Sequence, residues 1–348
     1  MTTALAKQVH ALPETDKSAI TSLAKPFGEK SIPTSYVYGI DKIVLTPIER
    51  AFMENTVGYT HFEGEVLASG AEIFSRIEGH DDYYVGSAEE QLLEDCGVVR
   101  LADGAVITEF GPGDGQKADI ILGRNENQRD LRYQAVDVSQ DFLEMTARRL
   151  QGHRSLGQNP RTLCDDFFTA THGFERADIG LFLGTTISNF DPEEGVRLLH
   201  HIRRSYMSED GVLYIGQDGN RDITSLLKCY DDSDKHTAAF VMNALRQIAR
   251  DHAPDLDLNN FRYQAFFDEE MEAMRMGIVS ETAQIHSIAG ETIAFAEGEF
   301  IQIGQSRKYA RHTIAEMAER AGFTTEYVVS SPQDVNIHRL RVAKGLDL

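Results

Sequence analysis

Short hydrophobic runs and amphipathic segments alternate through the middle of the chain. Four runs rich in β-branched and aromatic residues predict buried strands at 105–110, 132–139, 177–184 and 211–218. Segments with the apolar spacing of a helix follow each of the first three runs. Strands that alternate with helices predict parallel β-α-β units, and hence an α/β protein with a doubly wound sheet.

This alternation breaks between about residues 222 and 305. A long helical segment is followed there by segments in which apolar residues alternate with polar ones, a pattern typical of an antiparallel sheet. Helix and strand patterns return near the C-terminus. We therefore predict a discontinuous sheet domain formed by 86–221 and 307–348, and an α+β domain that combines the inserted segment 222–306 with 1–85.

The composition narrows the possible partners. The 348 residues include 55 acidic and 34 basic ones, which gives a net charge of −21. Binding to nucleic acid or to an anionic membrane requires clustered lysine and arginine, so we expect neither partner. The N-terminus lacks the apolar stretch of a signal peptide, and the cysteines at positions 96, 164 and 229 lie far apart. We therefore expect a cytoplasmic protein, and its oligomeric state stays open.

A glycine-rich turn follows the first predicted strand. Its pattern is acid-x-Gly-x-Gly-x-Gly, formed by Glu109, Gly111, Gly113 and Gly115. Glycines let the backbone approach a ligand closely, and a helix start offers free N–H groups. The dinucleotide pattern G-x-G-x-x-G differs, because here the third glycine comes one residue early and an acid opens the turn. S-adenosylmethionine, with its cationic amino-acid part, suits this turn better than a nicotinamide dinucleotide; a tight turn without a ligand is the alternative.

Acidic residues also follow the next strands. Asp137 ends the second strand, where a carboxylate can accept hydrogen bonds from both hydroxyls of a ribose. Asp166 and Phe167 come about 30 residues later, where an acid beside an aromatic ring can bind and stack an adenine. Both features suit a nucleoside, although Asp followed by Phe is also common where a turn precedes a core residue.

The segment Gly184–Phe190 follows the 177–184 strand, at the edge where transfer chemistry would take place. Its small hydroxyl residues and the amide of Asn189 can hold a polar substrate. Asn189 can equally cap a helix that begins at Pro192. The residues by themselves leave both interpretations open.

Several motifs in combination resemble the histidine-specific methyltransferase family. They are EFGPGDGQK, VDVS, CDDF, LGTTISNFDPEE, CYDDSDKHTAAF and SRKY, and the similarity extends from about Gly70 to the C-terminus. The best-known members of this family make the trimethylated histidine of the ergothioneine pathway, and fungal relatives methylate tryptophan-type amines. The resemblance implies a Rossmann-like class I methyltransferase sheet with an inserted substrate-recognition domain.

The resemblance also implies roles for individual residues. Asn189 and Tyr230 match positions that bind the α-carboxylate of the substrate. Met276 and Ser306 match positions beside the pocket for its side chain. The positions that match the S-adenosylmethionine site are Tyr83, Gly111, Lys117, Asp137, Asp166 and Phe167. Tyr83 is also a candidate hydrogen-bond partner for the substrate amine.

The chain departs from the family at two positions of the substrate site. Val66 stands where the family has a tyrosine near the amine, and Gly304 stands where it has a glutamate that binds the imidazole N–H. A pocket without that carboxylate discriminates poorly in favour of histidine. We therefore hypothesise an amino acid or amino-acid-derived substrate other than histidine, for example an aromatic, tryptophan-like one. A shift in register towards Glu297 or Glu299 would restore a carboxylate.

Two alternatives stay open: histidine as the substrate, and a relative that binds the cofactor without catalysis. Methyl transfer needs a neutral amine aimed at the methyl group, and orientation can supply about 7–11 kcal/mol of barrier lowering. A dedicated base is not obligatory, so we assign positioning residues and no base. The twelve histidines form no His-Glu-x-x-His motif, and we expect no metal.

Overall fold

The computed structural model describes residues 60–62, 65–67, 70–167, 173–288 and 291–344. Most of the predicted segment 1–85 therefore lies outside the described residues. Within them the strands are β1 (Thr60–Phe62), β2 (Glu65–Leu67), β3 (Val106–Phe110), β4 (Arg132–Asp137), β5 (Arg161–Cys164), β6 (Ala177–Phe182), β7 (Met207–Asp218), β8 (Phe261–Asp268), β9 (Ala273–Ser280), β10 (Gln284–Ile288), β11 (Glu291–Phe295), β12 (Phe300–Arg307), β13 (Phe323–Ser330) and β14 (Val335–Val342). The α-helices are α1 (Gly70–Glu78), α2 (Tyr84–Cys96), α3 (Gln116–Arg124), α4 (Gln140–Leu150), α5 (Pro192–Tyr206), α6 (Ile223–Tyr230), α7 (His236–His252) and α8 (Arg311–Arg320).

A large sheet contains seven of the described strands, in the order β13-β14-β7-β6-β3-β4-β5. Neighbours are parallel from β7 to β5, whereas β14 is antiparallel to both β7 and β13. The predicted doubly wound sheet is confirmed, and the fourth predicted strand starts earlier than expected, at Met207. The chain places β4 and β5 on one side of β3 and then returns to place β6 on the other. This reversal opens a crevice at the carboxyl ends of β3 and β6, where such sheets bind ligands.

Helices cover both faces of the large sheet. On one face, Phe182 belongs to an apolar cluster with Leu198 of α5 and Met317 of α8. On the other, Leu181 belongs to a cluster that includes Leu122 of α3 and residues of α2 and α4. The sheet is therefore buried between two layers, which explains why its strands are nearly continuous hydrophobic runs. In the described part of the chain, no helix combines the length and the apolar character that crossing a membrane requires.

The segment that breaks the alternation forms an antiparallel sheet of its own, in the order β12-β9-β8. The long predicted helix is α7, and its residues Val241 and Leu245 share an apolar cluster with Phe261, Ile278 and Ile301 of this sheet. Strands β10 and β11 form an antiparallel hairpin beside it. The division of the chain into domains at the boundaries given above stays a prediction.

Two helix ends test local expectations. The segment EEQLLEDCG predicts a helix that Gly97 ends, and α2 does end before Gly97, which has a left-handed φ of 51°. The interpretation of Asn189 as the cap of the next helix is wrong. Asp191 is the N-cap of α5, and it forms a capping box in which Asp191 and Glu194 each accept the other's backbone N–H. Asn189 is thus not needed to start α5.

Gly115 lies where α3 begins, in close contact with α4. Its φ is 82°, and a Cβ at this position would lie 3.0 Å from Thr146 Cα and 3.1 Å from Thr146 Cγ2. A side chain is disfavoured there by the backbone conformation and also by the lack of space. The third glycine of the turn therefore serves the packing of two helices.

We expect Gly115→Ala to lower the free energy of unfolding by about 1–3 kcal/mol, because strain and overpacking both oppose the added methyl group. Gly123→Ala is the matched control, since Gly123 lies in the same helix with open space around it. Alanine there should be neutral or stabilising by up to about 1 kcal/mol. Chemical denaturation followed by circular dichroism measures both variants, and equal losses would contradict the packing argument.

Candidate functional site

The glycine turn lies at the mouth of the crevice. Gly111 and Gly113 have φ values of 69° and 59°, in the left-handed region. A Cβ on Gly111 would lie 4.0 Å from Asp137 Oδ2, and one on Gly113 would lie 3.5 Å from Glu78 Oε2. The turn therefore presents bare backbone between two carboxylates, and its contact with the cofactor stays a prediction.

Glu109, the acid that opens the turn, is buried within the sheet. Its carboxylate accepts a hydrogen bond from the Tyr133 hydroxyl on β4. Burial raises the pKa of Glu109 to about 7, although the bond from Tyr133 and the charge of Lys117 oppose this shift. The neighbouring strand thus holds Glu109 in place, and its contact with a ligand stays a prediction.

Lys117 on α3 connects several parts of the crevice wall. Its ammonium group lies 2.9 Å from Glu78 Oε1 and 3.9 Å from Glu89 Oε2. Glu89 also accepts a hydrogen bond from the Gly184 N–H at 2.8 Å, just after β6. Burial lowers the pKa of Lys117, but Glu78 and Glu89 raise it more, so it lies above its ordinary value. Lys117 is therefore a protonated internal cation that ties α1 and α2 to α3.

Glu89 is a site residue that the sequence analysis missed. It lies on α2 in the same buried stripe as Val85, Ala88 and Leu92, and it is itself fully buried. A carboxylate on the apolar face of a helix is the signal that would have identified it. Burial raises the pKa of Glu89 to about 7, against the opposing charge of Lys117.

Asp137 ends β4 beside the turn, and its side chain is buried. Its Oδ1 atom accepts a hydrogen bond from the Ser139 N–H at 2.8 Å. Burial raises the pKa of Asp137 to about 7, although backbone hydrogen bonds from Ser139 and Val138 oppose the shift. Further donors, such as the two hydroxyls of a ribose, would favour the charged form of this carboxylate.

Asp166 and Phe167 follow β5 as predicted, with different exposures. Asp166 is half-buried, whereas Phe167 is almost completely buried. The Phe167 ring packs edge-on against Phe110 and Phe182, with centroid distances of 6.1 and 5.9 Å. This ring thus belongs to the core of the large sheet, and its stacking on an adenine stays a prediction.

Two consecutive residues of β12 form hydrogen bonds with the residues that are predicted to bind the carboxylate. Asn189 ends the 3₁₀ helix Thr186–Asn189, and its backbone carbonyl accepts a hydrogen bond from Gln305 Nε2 at 3.1 Å. Tyr230 ends α6, and its hydroxyl is hydrogen-bonded to Ser306 Oγ at 2.8 Å. Because Gln305 and Ser306 are consecutive, their side chains point to opposite faces of β12, and the binding of one carboxylate by both Asn189 and Tyr230 stays a prediction.

A buried ion pair lies behind Tyr230. Lys308 follows β12 and Asp218 ends β7, their side chains are fully buried, and Lys308 Nζ lies 2.6 Å from Asp218 Oδ2. Lys308 Nζ also donates to the Tyr230 hydroxyl at 2.8 Å and to Ser306 Oγ at 3.0 Å. The sequence analysis missed both partners. Asp218 ends a parallel strand as Asp137 does, and this position was the available signal.

The predicted side-chain pocket lies on one face of β9 and β12. Gly304 is opposite Met276 in the register, and Ser306 is opposite Met274. Residues two apart on a strand share a face, so Gly304 and Ser306 lie on the same side. A Cβ on Gly304 would lie 3.4 Å from Met276 Cε, in van der Waals contact with the end of a flexible side chain.

Tyr83 reaches Tyr230 from the start of α2. Their rings meet at a centroid distance of 6.5 Å with an interplanar angle of 78°. Burial raises the pKa of Tyr83 well above its ordinary value, so its hydroxyl stays protonated. Tyr83, Tyr230 and Met274 belong to one buried cluster, with Met276 packed against it.

The glutamates near β12 lie too far from Gly304 to replace the missing carboxylate. Glu297 is exposed, and Glu299 accepts a hydrogen bond from the Ala296 N–H in the turn before the strand. Gly304 follows Glu299 by five residues, a distance of about 16 Å along a strand. A bulge between Gln302 and Gly304 shifts the register locally, which does not bridge this distance.

Comparisons with known proteins identify the family of the chain. The sequence model described as "Histidine-specific methyltransferase, SAM-dependent" matches residues 16–341. The chain is 28% identical over 262 residues to the histidine N-alpha-methyltransferase of Mycolicibacterium smegmatis, covering 72% of this chain and 80% of the relative. It is 28% identical over 190 residues to the N-methyltransferase imqF of Aspergillus flavus, covering 51% of each chain.

Among solved structures, a S-adenosylmethionine-dependent methyltransferase from Clostridium acetobutylicum superimposes with a TM-score of 0.46 at 12% identity, covering 78% of this chain and 97% of the other. The family match confirms the resemblance, together with the enzyme class and the cofactor. Because that match spans most of the chain, the protein belongs to the histidine-specific, S-adenosylmethionine-dependent methyltransferase family.

Proposed function

We propose that the chain transfers a methyl group from S-adenosylmethionine to the α-amine of a small amino acid or an amino-acid-derived substrate. The observation that carries this proposal is the buried Tyr230 hydroxyl on Ser306, on the face of β12 that also holds Gly304, because Tyr230 matches a family position that binds the α-carboxylate. The Tyr230 hydroxyl and the Asn189 amide suit a carboxylate, because both can donate hydrogen bonds to it. A carboxylate bound there leaves the amine on the adjacent carbon free to approach the cofactor.

The cofactor side of the crevice fits S-adenosylmethionine. When bound, S-adenosylmethionine supplies a methyl group on a positively charged sulfur. Gly111 and Gly113 leave open space beside the backbone, and the Asp137 carboxylate can accept the ribose hydroxyls. The carboxylates of Glu78 and Glu109 favour a cationic group over a phosphate at this turn. Because they match cofactor-binding positions of the family, we propose further cofactor residues: Tyr83, Lys117, Asp166 and Phe167.

The contribution of the chain to the reaction is orientation. Tyr83 keeps its proton because burial raises its pKa, so it can hold the amine as a hydrogen-bond partner without acting as a base. The reacting amine must be neutral, and the apolar surroundings formed by Met274 and Met276 disfavour its charged form. Fixing both reactants can lower the barrier by about 7–11 kcal/mol, so we propose no separate base.

We propose a substrate other than histidine, with an aromatic side chain as the best candidate. Gly304 and Met276 form an apolar stretch of the pocket, and the carboxylate that the family has at the position of Gly304 is missing. Histidine is the second candidate, because the relative from Mycolicibacterium smegmatis is named a histidine N-alpha-methyltransferase. Val66 stands where the family has a tyrosine near the amine, and this gives a third hypothesis: the chain binds the cofactor without catalysing methyl transfer.

The two predicted domains divide this work between them. We propose that 86–221 and 307–348 form most of the S-adenosylmethionine site, to which Tyr83 adds, and that 222–306 and 1–85 form most of the substrate site, to which Asn189 adds. The net charge of −21 disfavours a nucleic-acid substrate, and a free small molecule in the cytoplasm is the proposed one.

A screen with pooled amino acids and their decarboxylated amines tests the function. With S-adenosylmethionine, mass spectrometry should detect amino acids that carry one or more added methyl groups. Tyr230→Phe should raise the KM for the amino acid by about tenfold or more, since a hydrogen bond to a charged group contributes about 1.5–3 kcal/mol. The KM for the matching amine should stay unchanged. No product from any acceptor would overturn the proposed function, and equal effects on acid and amine would contradict the carboxylate assignment.

Gly304→Glu tests the choice of side chain. A carboxylate placed beside Ser306 can bind an imidazole N–H, so kcat/KM for histidine should rise by about tenfold or more, whereas the value for an aromatic amino acid should fall. Gly304→Gln is the matched control, since glutamine has the same length without the charge. Its kcat/KM for histidine should rise much less. If histidine is the best substrate of the unsubstituted protein, the proposal of a different substrate is wrong.

The pKa of Asp137 predicts how cofactor affinity depends on pH. Asp137 titrates at about 7 in the free protein, and bonds from ribose hydroxyls favour its charged form. The protonated form binds less well, so the Kd for S-adenosylhomocysteine should rise by about tenfold between pH 8 and pH 6. Asp137→Asn should weaken binding and flatten this dependence, as measured by calorimetry. The same slope in the variant would assign the titration to another group.

A further inference from the structure

Lys308 is an ammonium group enclosed by the protein among three oxygen acceptors. Its Nζ donates to Asp218 Oδ2 at 2.6 Å, to the Tyr230 hydroxyl at 2.8 Å and to Ser306 Oγ at 3.0 Å. The Lys308 side chain is fully buried, so it offers no surface to a substrate. Lys308 therefore acts on the site through Tyr230 and Ser306.

Asp218 holds Lys308 in this position and is itself fully engaged. Its Oδ2 atom also accepts a hydrogen bond from the Tyr84 hydroxyl at 2.7 Å, and its Oδ1 atom accepts one from the Asn220 N–H at 3.0 Å. The carboxylate balances the charge of Lys308 within a region without exposed side-chain surface. The ammonium cannot turn towards water or another acceptor without leaving Asp218 unpaired, which is costly.

The hydrogen bonds from Lys308 restrict where the hydroxyl protons of Tyr230 and Ser306 can point. Tyr230 and Ser306 together have two hydroxyl protons, and one of them lies in the 2.8 Å bond between their oxygens. Lys308 donates to both oxygens, so neither hydroxyl can direct its proton towards the lysine. One proton of the pair is left over, and the groups on the crevice side are its available acceptors.

We propose that Lys308, held by Asp218, is a positioning residue that reserves one hydroxyl proton of the Tyr230–Ser306 pair for the substrate. This inference rests on the proposed function, because the substrate group concerned is the carboxylate. Tyr230 donates to Ser306 in the structure, and a carboxylate can only accept hydrogen bonds, so we expect a bound carboxylate to reverse this bond: Tyr230 then donates to the carboxylate and Ser306 donates to Tyr230. Lys308 also polarises the Tyr230 hydroxyl by donating to its oxygen, which strengthens the bond that Tyr230 donates.

The central test is a double-mutant cycle between Lys308→Met and Tyr230→Phe, measured as methyl transfer to the amino acid that reacts best in the screen. Lys308→Met should lower kcat/KM by about tenfold or more, mainly through KM, while the Kd for S-adenosylhomocysteine changes less than about twofold. Tyr230→Phe should cost about tenfold alone and less than about threefold in the Lys308→Met background, since the reserved proton is already lost. Equal costs of Tyr230→Phe in both backgrounds would overturn the proposal.

Lys308→Met leaves Asp218 unpaired and can prevent folding, so Lys308→Met/Asp218→Asn serves as a second variant without the buried charge. Its KM should rise as much as that of Lys308→Met. Leu150→Ala is the control for reduced stability, because Leu150 is a buried core residue of α4. Its KM should stay unchanged, and a similar rise in KM for Leu150→Ala would show that Lys308 acts through stability alone.

A measurement without substrate separates this inference from the proposed function. In protein labelled with ¹³C at the tyrosine Cζ, the Tyr230 signal is identified by its loss in Tyr230→Phe. It should shift when Lys308 is replaced, whereas the Tyr133 signal should not. If the unsubstituted protein methylates no acceptor while the Tyr230 signal shifts, the proposed function fails and the role of Lys308 stands. An unshifted Tyr230 signal would overturn the role of Lys308 whatever the activity.

Discussion

The buried ion pair between Lys308 and Asp218 joins the antiparallel sheet to the large sheet, and the substrate side of the crevice depends on it. The two residues lie 90 positions apart in the chain, at the ends of β12 and β7. Removing one partner of such a pair costs about 3–5 kcal/mol, a large part of the about 5–15 kcal/mol by which a typical protein is stable. The same contact fixes Tyr230 and Ser306, so stability and the proposed substrate binding depend on one set of atoms.

The cofactor side uses a second internal cation in a different way. Lys117 lies among carboxylates that outnumber it, and burial raises the pKa values of Glu89, Glu109 and Asp137 to about 7 each. Burial therefore makes these carboxylates easier to protonate than exposed ones. The proposed cationic ligand with ribose hydroxyls would favour their ionised forms.

In the predicted pocket for the substrate side chain, the carboxylate missing at Gly304 changes how substrates would be distinguished. A site that hydrogen-bonds a polar group can reject analogues lacking that group by factors of about 10⁴–10⁵, whereas an apolar pocket distinguishes one methylene by about 1–3 kcal/mol. At Gly304 the backbone faces Met276 without a side chain of its own. The carboxylate and the amine of a substrate would then be fixed more strictly than its side chain.

The sequence by itself determined the features that depend on neighbouring residues. The hydrophobic runs predicted β3, β4, β6 and β7 of the large sheet but not the mostly exposed β5, Gly97 predicted the end of α2, and the family motifs predicted the enzyme class and the cofactor. These features follow from local periodicity, turn geometry and motif spacing, all of which are contained in short segments of the chain. The bond between Asp191 and Glu194 is also local, and the sequence analysis overlooked it in favour of Asn189.

Only the tertiary structure decided which distant groups meet. Strand order brings Lys308 to Asp218, the reversal of the sheet brings Glu89 to Gly184, and packing directs the Phe167 ring into the core. None of these contacts has a local pattern, because each depends on how sheets and helices that are far apart in the chain pack together. The physical reason is that a buried charge selects its partner by position in space, and that position exists only after the sheets have assembled.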